Sequence, residues 1–181
     1  MTPRLIRVTI RNAKMWWNIC ALHLLLTTIL VASACPNGWI TFNGNCYSFV
    51  TTKQTWFHAA KACRDLDAKL VDVKSKDEEE FLKRTIKHQH VHDNPQTIGY
   101  WTSGNDLAVE GTWVWGYPEG IPMTTTDWFR GEPNNHWYDG REEDCVALWG
   151  HDSHAYQWND QPCDIQDFYI CKAADDVDVI G

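Results

Sequence analysis

The chain has 181 residues and a formal net charge of −8, because 24 Asp and Glu outnumber 16 Lys and Arg. This length suits a single domain, and a hydrophobic content of 44% supplies a buried core and argues against intrinsic disorder. The acidic balance offers no basic face, so nucleic acid is not expected as a partner. Eleven Trp suggest a packed core together with exposed aromatic faces that bind ligands.

The first 34 residues are typical of a secretory signal peptide. An apolar run over residues 15–31 ends at residues 32–34 (Ala-Ser-Ala), whose small side chains suit a signal peptidase. Before the run stand four basic residues and no acid: Arg4, Arg7, Arg11 and Lys14. We therefore predict cleavage of residues 1–34, a secreted extracellular protein, and no membrane insertion of the mature chain. The alternative is an uncleaved signal anchor, which would leave a membrane protein with its C-terminus outside.

The cysteines of the remaining chain predict a disulfide framework. Removal of residues 1–34 would leave 12 Lys and Arg against 24 Asp and Glu, a net charge of −12. It would also remove Cys20 and leave an even number of cysteines: Cys35, Cys46, Cys63, Cys145, Cys163 and Cys171. Six cysteines in an exported chain indicate three disulfides, for which 15 pairings are possible.

The next part of the chain predicts a hairpin followed by two helices. Two β-prone runs, residues 39–42 and 46–49, flank an Asn43-Gly44 turn. A helix over residues 54–66 is predicted by an apolar stripe at helical spacing: Trp56, Ala59, Ala60, Cys63 and Leu66. Ser75 and Glu78 form a capping box that opens a second helix, which extends to about Lys87 and turns three side chains to the core: Phe81, Leu82 and Ile86.

After Pro95 the pattern changes to strands and loops, which makes the fold class α+β. Short β-prone runs occupy residues 100–101, 112–115, 145–149, 156–158 and 168–171. Residues 116–144 form a long stretch rich in Gly, Pro and Asn, and loops of this length are usually functional or disordered. Its aromatic residues argue for order: Tyr117, Trp128, Trp137, Tyr138 and the flanking Trp149. Residues 174–181 form an acidic tail that is expected to fray.

Side chains that offer oxygen recur in the second half and predict a metal site. They are Glu132, Asn134, Glu143, Asn159 and Asp160. Hard oxygen ligands suit Ca²⁺ rather than zinc or copper. Because three carboxylates exceed one divalent charge, we expect these loops to loosen without the ion. Pro133 stands between two of the ligands, so a cis peptide bond is expected there. Asn, Asp and Pro are also common turn residues, so each motif taken alone is weak.

Together with the cysteine pattern, these motifs resemble the C-type lectin-like domain family over residues 35–173. Trp158-Asn159-Asp160 is similar to the family's Trp-Asn-Asp motif, and residues 98–101 (Ile-Gly-Tyr-Trp) to a variant of its Trp-Ile-Gly-Leu strand. The resemblance implies a C-type lectin-like fold, with two helices, small antiparallel sheets and a long calcium-binding loop region. It also implies three disulfides: Cys35–Cys46, Cys63–Cys171 and Cys145–Cys163.

The resemblance also implies how a ligand binds. Glu132-Pro133-Asn134 matches the family's signature for mannose-type sugars, whereas Gln-Pro-Asp is its galactose form. Two adjacent sugar hydroxyls would complete the calcium shell, one served by Glu132 and Asn134 and the other by Glu143 and Asn159. Asp160 would bind the ion through its side chain and backbone.

A second, auxiliary calcium site is also implied by the resemblance. Asp106 and Glu110 resemble its first ligands, and Glu143 with Asp144 would complete it. Asn135 stands where members with this site often have Asp, and the segment between Glu132 and Glu143 is longer than in the simplest mannose binders. Both departures weaken the expectation.

Two further features have competing interpretations. Galactose-type relatives place an aromatic residue near the position of Trp137, which would stack on the sugar and broaden specificity; packing within the loop is the alternative. His88, His90 and His92 alternate as zinc ligands can, but few other ligands lie near them. A solvated helix end is therefore the preferred interpretation of the three histidines.

The sequence thus predicts calcium-dependent binding of mannose-type glycans on microbial or cell surfaces, as in innate immunity. A lectin with broader mannose and galactose specificity is one alternative, and a protein-binding module with calcium structural or absent is another. An enzyme, such as a glycosidase with two carboxylates, is not expected, because bound calcium would hold the acids ionised and unavailable for proton transfer.

Overall fold

The computed structural model describes residues 35–118 and 120–174; the predicted signal peptide and the tail beyond residue 174 lie outside this range. Its helices are α1 (Trp56–Arg64), α2 (Lys76–Gln89) and a 3₁₀ turn (Pro95–Thr97). Its strands are β1 (Ile40–Phe42), β2 (Asn45–Gln54), β3 (Lys69–Leu70), β4 (Gly99–Asn105), β5 (Val114–Trp115), β6 (Ile121–Pro122), β7 (Cys145–Trp149), β8 (Gln157–Gln161) and β9 (Asp167–Ala174). Within the described ranges, no helix has the length and apolar character needed to cross a membrane.

The strands form one mixed sheet centred on β9 and β4. Strand β9 pairs antiparallel with β2 and β3 and parallel with β4, while β4 also pairs with β5 and β7. The predicted hairpin is present: Asn43 and Gly44 have φ values of 46° and 70°, a left-handed turn that Asn-Gly adopts readily. Strand β8 pairs with β7 on one side and, at Trp158, forms a parallel bridge with Trp128 on the other, so it lies next to the long loop region.

Both helices begin at the kind of N-cap that the sequence indicates. The Oγ of Ser75 accepts a hydrogen bond from the Glu78 N–H at 3.2 Å, and Thr55 caps α1 in the same way. Helix α1 is shorter than predicted, because it ends at Arg64 and the chain then turns. Leu66 lies in this turn and is 54% exposed, so its assignment to the buried stripe was wrong.

A core of aromatic and aliphatic side chains fills the space between the helices and the sheet. The predicted core residues of α2 are buried, and Tyr100 and Trp158 are fully buried beside them. The structure has three disulfides, with the pairing that the resemblance implies: Cys35–Cys46, Cys63–Cys171 and Cys145–Cys163. The observed helices and mixed sheet confirm the α+β class.

Two polar residues of this region are buried. Glu78 lies in the first turn of α2 as predicted, and its Oε1 lies 2.5 Å from the Nζ of Lys172 in β9. His90 is buried at the end of α2, where its ring nitrogens contact the Asp93 carboxylate at 2.7 Å and the Tyr100 hydroxyl at 2.8 Å. The interpretation of His90 as part of a solvated helix end was therefore wrong.

The long stretch over residues 116–144 is partly ordered by its own aromatics, as predicted. Strand β6 pairs with β5, and Trp128 packs edge-on against Trp113 and Trp158 at centroid separations of 4.9 and 5.8 Å. Tyr117 and Tyr138 are exposed and lie outside the packing around Trp128. The packing at Trp128 ties the start of the loop region to β8, which carries the predicted site.

Candidate functional site

Asp160 stands where the long loop meets the sheet. It lies on β8 opposite Val146 of β7 and is fully buried. Its Oδ2 accepts hydrogen bonds from the backbone N–H groups of Asn134 and Asn135, at 3.0 and 2.8 Å. Its Oδ1 is buried and has no hydrogen-bond partner among the described residues. A buried carboxylate oxygen without a partner is costly, which makes it a candidate ligand for a cation.

The Glu132-Pro133-Asn134 segment is folded against this carboxylate. The Glu132–Pro133 peptide bond is cis, as the sequence predicts. The Nδ2 of Asn134 donates to the Oε2 of Glu132, so the amide and the carboxylate lie side by side. Burial raises the pKa of Glu132 to about 7, and the neighbouring Asp160 and Glu143 raise it further in the same direction.

Glu143 approaches Asp160 from the other side of the loop. Its Oε2 accepts from the His136 N–H at 2.8 Å, and its own N–H donates to the Oδ1 of Asn135 at 2.7 Å. Burial, followed by the charge of Asp160, raises the pKa of Glu143 to about 7 in spite of the His136 hydrogen bond. The fold therefore holds carboxylates near one another, and a bound cation would relieve their repulsion.

Asn159 completes the predicted set. It precedes Asp160 on β8, and its Nδ2 donates to the Asp160 backbone carbonyl at 2.6 Å. This carbonyl, which the resemblance implies as a calcium ligand, therefore already accepts one hydrogen bond. A carbonyl oxygen has two lone pairs, so the contact does not exclude coordination.

A second acidic cluster lies beside the first and contains the predicted auxiliary ligands. Carboxylate oxygens of Asp106, Glu110 and Asp144 lie within 4.8 Å of one another, the one such trio of acidic, histidine or cysteine side chains in residues 35–118 and 120–174. The Oδ2 of Asp106 accepts from the Gly111 N–H at 2.8 Å, while its Oδ1 is buried without a partner. Burial, then Glu110 and Asp144, raises the pKa of Asp106 to about 6.

Glu143 is not part of this trio, which differs from the expectation that it would serve both sites. Glu143 and Asp144 are neighbours in an extended segment, where successive side chains point in opposite directions. Glu143 therefore contacts the Asn135 and His136 backbone region, and Asp144 joins Asp106. The carboxylates of Glu132, Glu143 and Asp160 do not meet the 4.8 Å separation that the trio does. They accept hydrogen bonds from neighbouring residues of the loop, and the charge of Asp160 raises the pKa values of Glu132 and Glu143.

The donor set fits calcium better than other biological metals. The first cluster offers carboxylate and amide oxygens and the second offers carboxylates alone, and neither contains a thiolate or an imidazole. Oxygen ligands of this kind are the preference of a hard cation. The Oδ1 atoms of Asp160 and Asp106 are buried without hydrogen-bond partners, which is a second observation that fits cation binding. The alternating histidines form no such cluster with other side chains in the part of the chain that the structure describes.

Two neighbouring aromatic residues of the loop, Trp137 and Tyr138, differ in how far they are exposed to solvent. Trp137 is half-buried, and its indole N–H is buried without a partner in the described residues. Tyr138 packs against it with ring centroids 5.2 Å apart and is 85% exposed. Tyr138, which the sequence analysis used only as a sign of order, is therefore more exposed than Trp137, whose contact with sugar stays a prediction.

Sequence reasoning also missed the role of Asn135, the residue that follows the triplet. Asn135 has φ of 47°, and this turn directs its N–H to Asp160 and its Oδ1 to the Glu143 N–H. The residue was considered only as a substitute for Asp in the auxiliary site. The available signal was the Asn-Asn pair itself, because Asn tolerates positive φ and bonds nearby backbone groups.

Comparisons with known proteins agree with this architecture. The family described as the Lectin C-type domain matches residues 52–173. CD209 antigen-like protein C of Mus musculus is 41% identical over 140 residues, covering 76% of this chain and 68% of that protein. The mouse scavenger receptor C-type lectin carbohydrate-recognition domain superposes with a TM-score of 0.66 at 29% identity, covering 78% of this chain and 98% of that one. The C-type lectin domain of murine dendritic cell inhibitory receptor 2, solved with an N-glycan, gives 0.64 at 27% identity, covering 78% and 99%.

The comparisons contradict the predicted secreted localisation. Several relatives are named as receptors, including the low affinity immunoglobulin epsilon Fc receptor of Mus musculus, and receptors of this kind act while attached to a membrane. The expectation that the chain is secreted and free of the membrane was therefore wrong. Residues 1–34, on which that expectation rested, lie outside the described residues.

The chain spans only part of most of these relatives. It covers 28% of C-type lectin domain family 4 member M of Pan troglodytes and 42% of the mouse epsilon Fc receptor. The relatives are named as lectins, antigens and receptors and not as enzymes. Because the family match extends over more than half of the residues and the fold agrees, the chain belongs to the Lectin C-type domain family.

Proposed function

We propose that this domain binds glycans in a calcium-dependent manner, with mannose-type sugars favoured. The observation that carries the proposal is the hydrogen bonding of the Asn134 and Asn135 backbone to the Oδ2 of buried Asp160, which leaves Oδ1 without a partner. This contact supports a site built from five oxygen-bearing side chains: Glu132, Asn134, Glu143, Asn159 and Asp160. The carbohydrate-recognition domains among the related structures support glycan binding in general.

The five residues would hold the ion, and four of them would also contact sugar. When bound, calcium would supply coordination positions for two adjacent sugar hydroxyls. Glu132 and Glu143 would each accept a hydrogen bond from one hydroxyl, and the amides of Asn134 and Asn159 would each donate one. Bonds of this type to a carboxylate are charge-assisted and therefore stronger than neutral ones.

Two hydrogen bonds of the present arrangement would have to rearrange for this role. The Nδ2 of Asn134 now donates to Glu132, and the Nδ2 of Asn159 donates to the Asp160 carbonyl. Both amides are free to rotate toward a sugar, because Asn134 is exposed and Asn159 is half-buried. Asp160 is fixed by two backbone donors and would stay in place.

Specificity within the sugars depends on the triplet and on the loop that follows it. Glu132 followed by Asn134 is the order that the family resemblance associates with mannose-type sugars. Trp137, or the more exposed Tyr138 beside it, would stack on the apolar face of a galactose-type ring and extend the range. We place mannose-type sugars first, because the triplet would contact the hydroxyls directly.

The biological target proposed is a glycan on a microbial or cell surface, recognised as part of innate immunity. One exposed sugar gains little net energy after it loses its waters, so an affinity of about 1 mM for a monosaccharide is expected. Recognition of a surface would then require several sites acting together.

The test is chromatography of the full chain on mannose-agarose and galactose-agarose, each with calcium and with EDTA. Retention on mannose that EDTA releases supports the proposal. Retention on galactose alone would mean that the loop with Tyr138 overrides the triplet. Calcium binding in a thermal-shift assay without retention on either resin would favour another glycan or a protein ligand, and no response to calcium would contradict the site assignment.

A further inference from the structure

One cavity among the described residues lies away from the predicted calcium ligands. Its volume is about 650 Å³, and none of the eight predicted calcium ligands lines it. Helix α1, strand β3 and the segment after β5 enclose it. This volume lies within the range of about 300–1,000 Å³ that is typical of small-molecule sites.

One wall of the cavity is aromatic and partly open to solvent. Trp56, Phe57 and Tyr117 pack edge to face with ring centroids 5.1–6.5 Å apart. Trp56 is buried and fixed by a hydrogen bond from its Nε1 to the Thr102 carbonyl at 2.8 Å. Phe57 and Tyr117 are 48% and 51% exposed, and Ile121 beside them is 50% exposed. This wall offers an apolar surface that the domain itself does not cover.

The cavity is also lined by basic side chains, in a chain with a net charge of −8. Arg64, Lys69 and Lys74 line it, against the single described carboxylate of Asp72. Lys69 and Lys74 both contact the Oδ2 of Asp72, at 2.8 and 3.1 Å. Arg64 has no carboxylate within 4.0 Å in residues 35–118 and 120–174. The described lining therefore carries an excess of positive charge beside an apolar wall.

We propose that this cavity is a second ligand-binding site, which takes a small amphipathic anion. The apolar body of the ligand, an alkyl chain or an aromatic ring, would lie against Phe57, Tyr117 and Ile121. Its acidic head, a carboxylate, sulfate or phosphate, would pair with Arg64. Charge complementarity selects an anion over a neutral or cationic amphipath, because Asp72 is already neutralised by its two lysines.

The site is independent of the proposed sugar site. The cavity uses α1, β3 and the segment after β5, whereas the calcium ligands lie on the loop over residues 132–144 and on β8. Removal of calcium should leave binding in the cavity in place. Failure of the sugar site would therefore not affect the test of this proposal.

The test uses the full chain and the fluorescent anion 8-anilinonaphthalene-1-sulfonate, titrated in EDTA and in calcium. We expect saturable enhancement of emission, with octanoate as a competitor and octylamine without effect. Arg64→Gln should weaken binding about tenfold, which is the usual effect of losing a hydrogen bond to a charged group. Phe57→Ser should weaken it by a similar factor. Lys87→Gln is the matched control, because Lys87 is an exposed cation in the last turn of α2 that does not line the cavity.

A filling variant keeps the test decisive. Ala60→Phe places a ring inside the cavity from α1 and should abolish binding, while far-ultraviolet circular dichroism and the calcium-dependent thermal shift stay as in the parent chain.

Sedimentation with phosphatidylglycerol vesicles, blocked by octanoate, would identify a lipid as the source of the ligand, whereas octanoate binding without sedimentation would identify a free acid. Equal competition by octanoate and octylamine, or binding that Arg64→Gln, Phe57→Ser and Ala60→Phe all leave unchanged, would overturn the proposal.

Discussion

Asp160 and Asn134 join the two halves of the proposed sugar site, through a hydrogen bond of 3.0 Å from the Asn134 N–H to the Asp160 Oδ2. One partner lies on β8, and the other lies 26 residues earlier in the long loop. The contact explains how a loop with little regular structure presents two ligands in register with a strand. It also makes Asp160 the residue whose charge matters most to the site.

The first prediction concerns this charge. Asp160→Asn keeps the size of the side chain but replaces one of the three carboxylates of the proposed sugar site with a neutral amide. We expect calcium affinity to fall at least tenfold, on the order of 1.4 kcal/mol or more, with loss of EDTA-sensitive retention on mannose. Titration calorimetry measures the first effect. Asp152→Asn, at an exposed acid outside both clusters, is the control, and equal calcium affinity in the two variants would contradict the prediction.

The second prediction concerns the trio of Asp106, Glu110 and Asp144. If this cluster binds an ion, the parent chain takes up two calcium ions per molecule, and Glu110→Gln takes up one with mannose binding retained. Glu110 is exposed, so its substitution does not disturb the core. Calorimetric stoichiometry is the measurement, with Glu80→Gln on α2 as the control. A parent stoichiometry of one, unchanged in Glu110→Gln, would remove the auxiliary site.

The third prediction is a pH dependence of stability that comes from Asp167. Burial raises the pKa of this carboxyl to about 7, although Lys53, 3.8 Å away, and Gln161 oppose the shift. The folded state therefore binds the proton more tightly than the unfolded state, and the stabilisation present below pH 4 is lost as the pH rises through 7. A shift of about three pKa units corresponds to roughly 4 kcal/mol.

The measurement is urea unfolding of the parent chain and Asp167→Asn between pH 4 and 7.5, in EDTA. The difference in free energy of unfolding between the two should change by about 2–4 kcal/mol in favour of the variant as the pH rises. Working with the difference cancels the contributions of other carboxyls. A difference that is constant with pH would show that Asp167 does not titrate in this range.

The fourth prediction concerns the buried Lys172. Its Nζ lies 2.5 Å from Glu78 Oε1 and 3.0 Å from Asp72 Oδ1. Lys172→Met leaves two buried carboxylates without this partner and should cost about 3–5 kcal/mol of unfolding free energy. Lys76→Met, at an exposed lysine of α2, should cost less than about 0.5 kcal/mol. Adding Glu78→Gln to Lys172→Met should recover part of the loss, and a Lys172→Met cost no larger than the control would refute this role.

Local rules account for the elements that the sequence predicted well. The Asn43-Gly44 turn and the cap at Ser75 depend on neighbouring residues only, and both are present. The cysteine pattern and the Trp158–Asp160 motif predicted the fold through resemblance. Leu66 was placed wrongly, because helical periodicity does not reveal where the chain turns out of the helix.

Contacts between residues far apart in the sequence determine the features that the sequence did not predict. Glu78 and Lys172 are 94 positions apart, so nothing in the local pattern distinguishes a first-turn acid from a buried ion pair. The localisation inferred from residues 1–34 failed because a cleaved signal and a retained anchor have similar compositions, and the receptor relatives contradicted secretion.

By itself the sequence determined the fold class, the six-cysteine framework and the set of oxygen-bearing residues available to a metal. Only the tertiary structure decided which oxygens meet, since it sent Glu143 toward Asp160 and its neighbour Asp144 toward Asp106. It alone formed the cavity between α1, β3 and the segment after β5. The physical reason is that residue type fixes which interactions a side chain can make, whereas charge repulsion, burial and cavities depend on distances that exist only after the chain has packed.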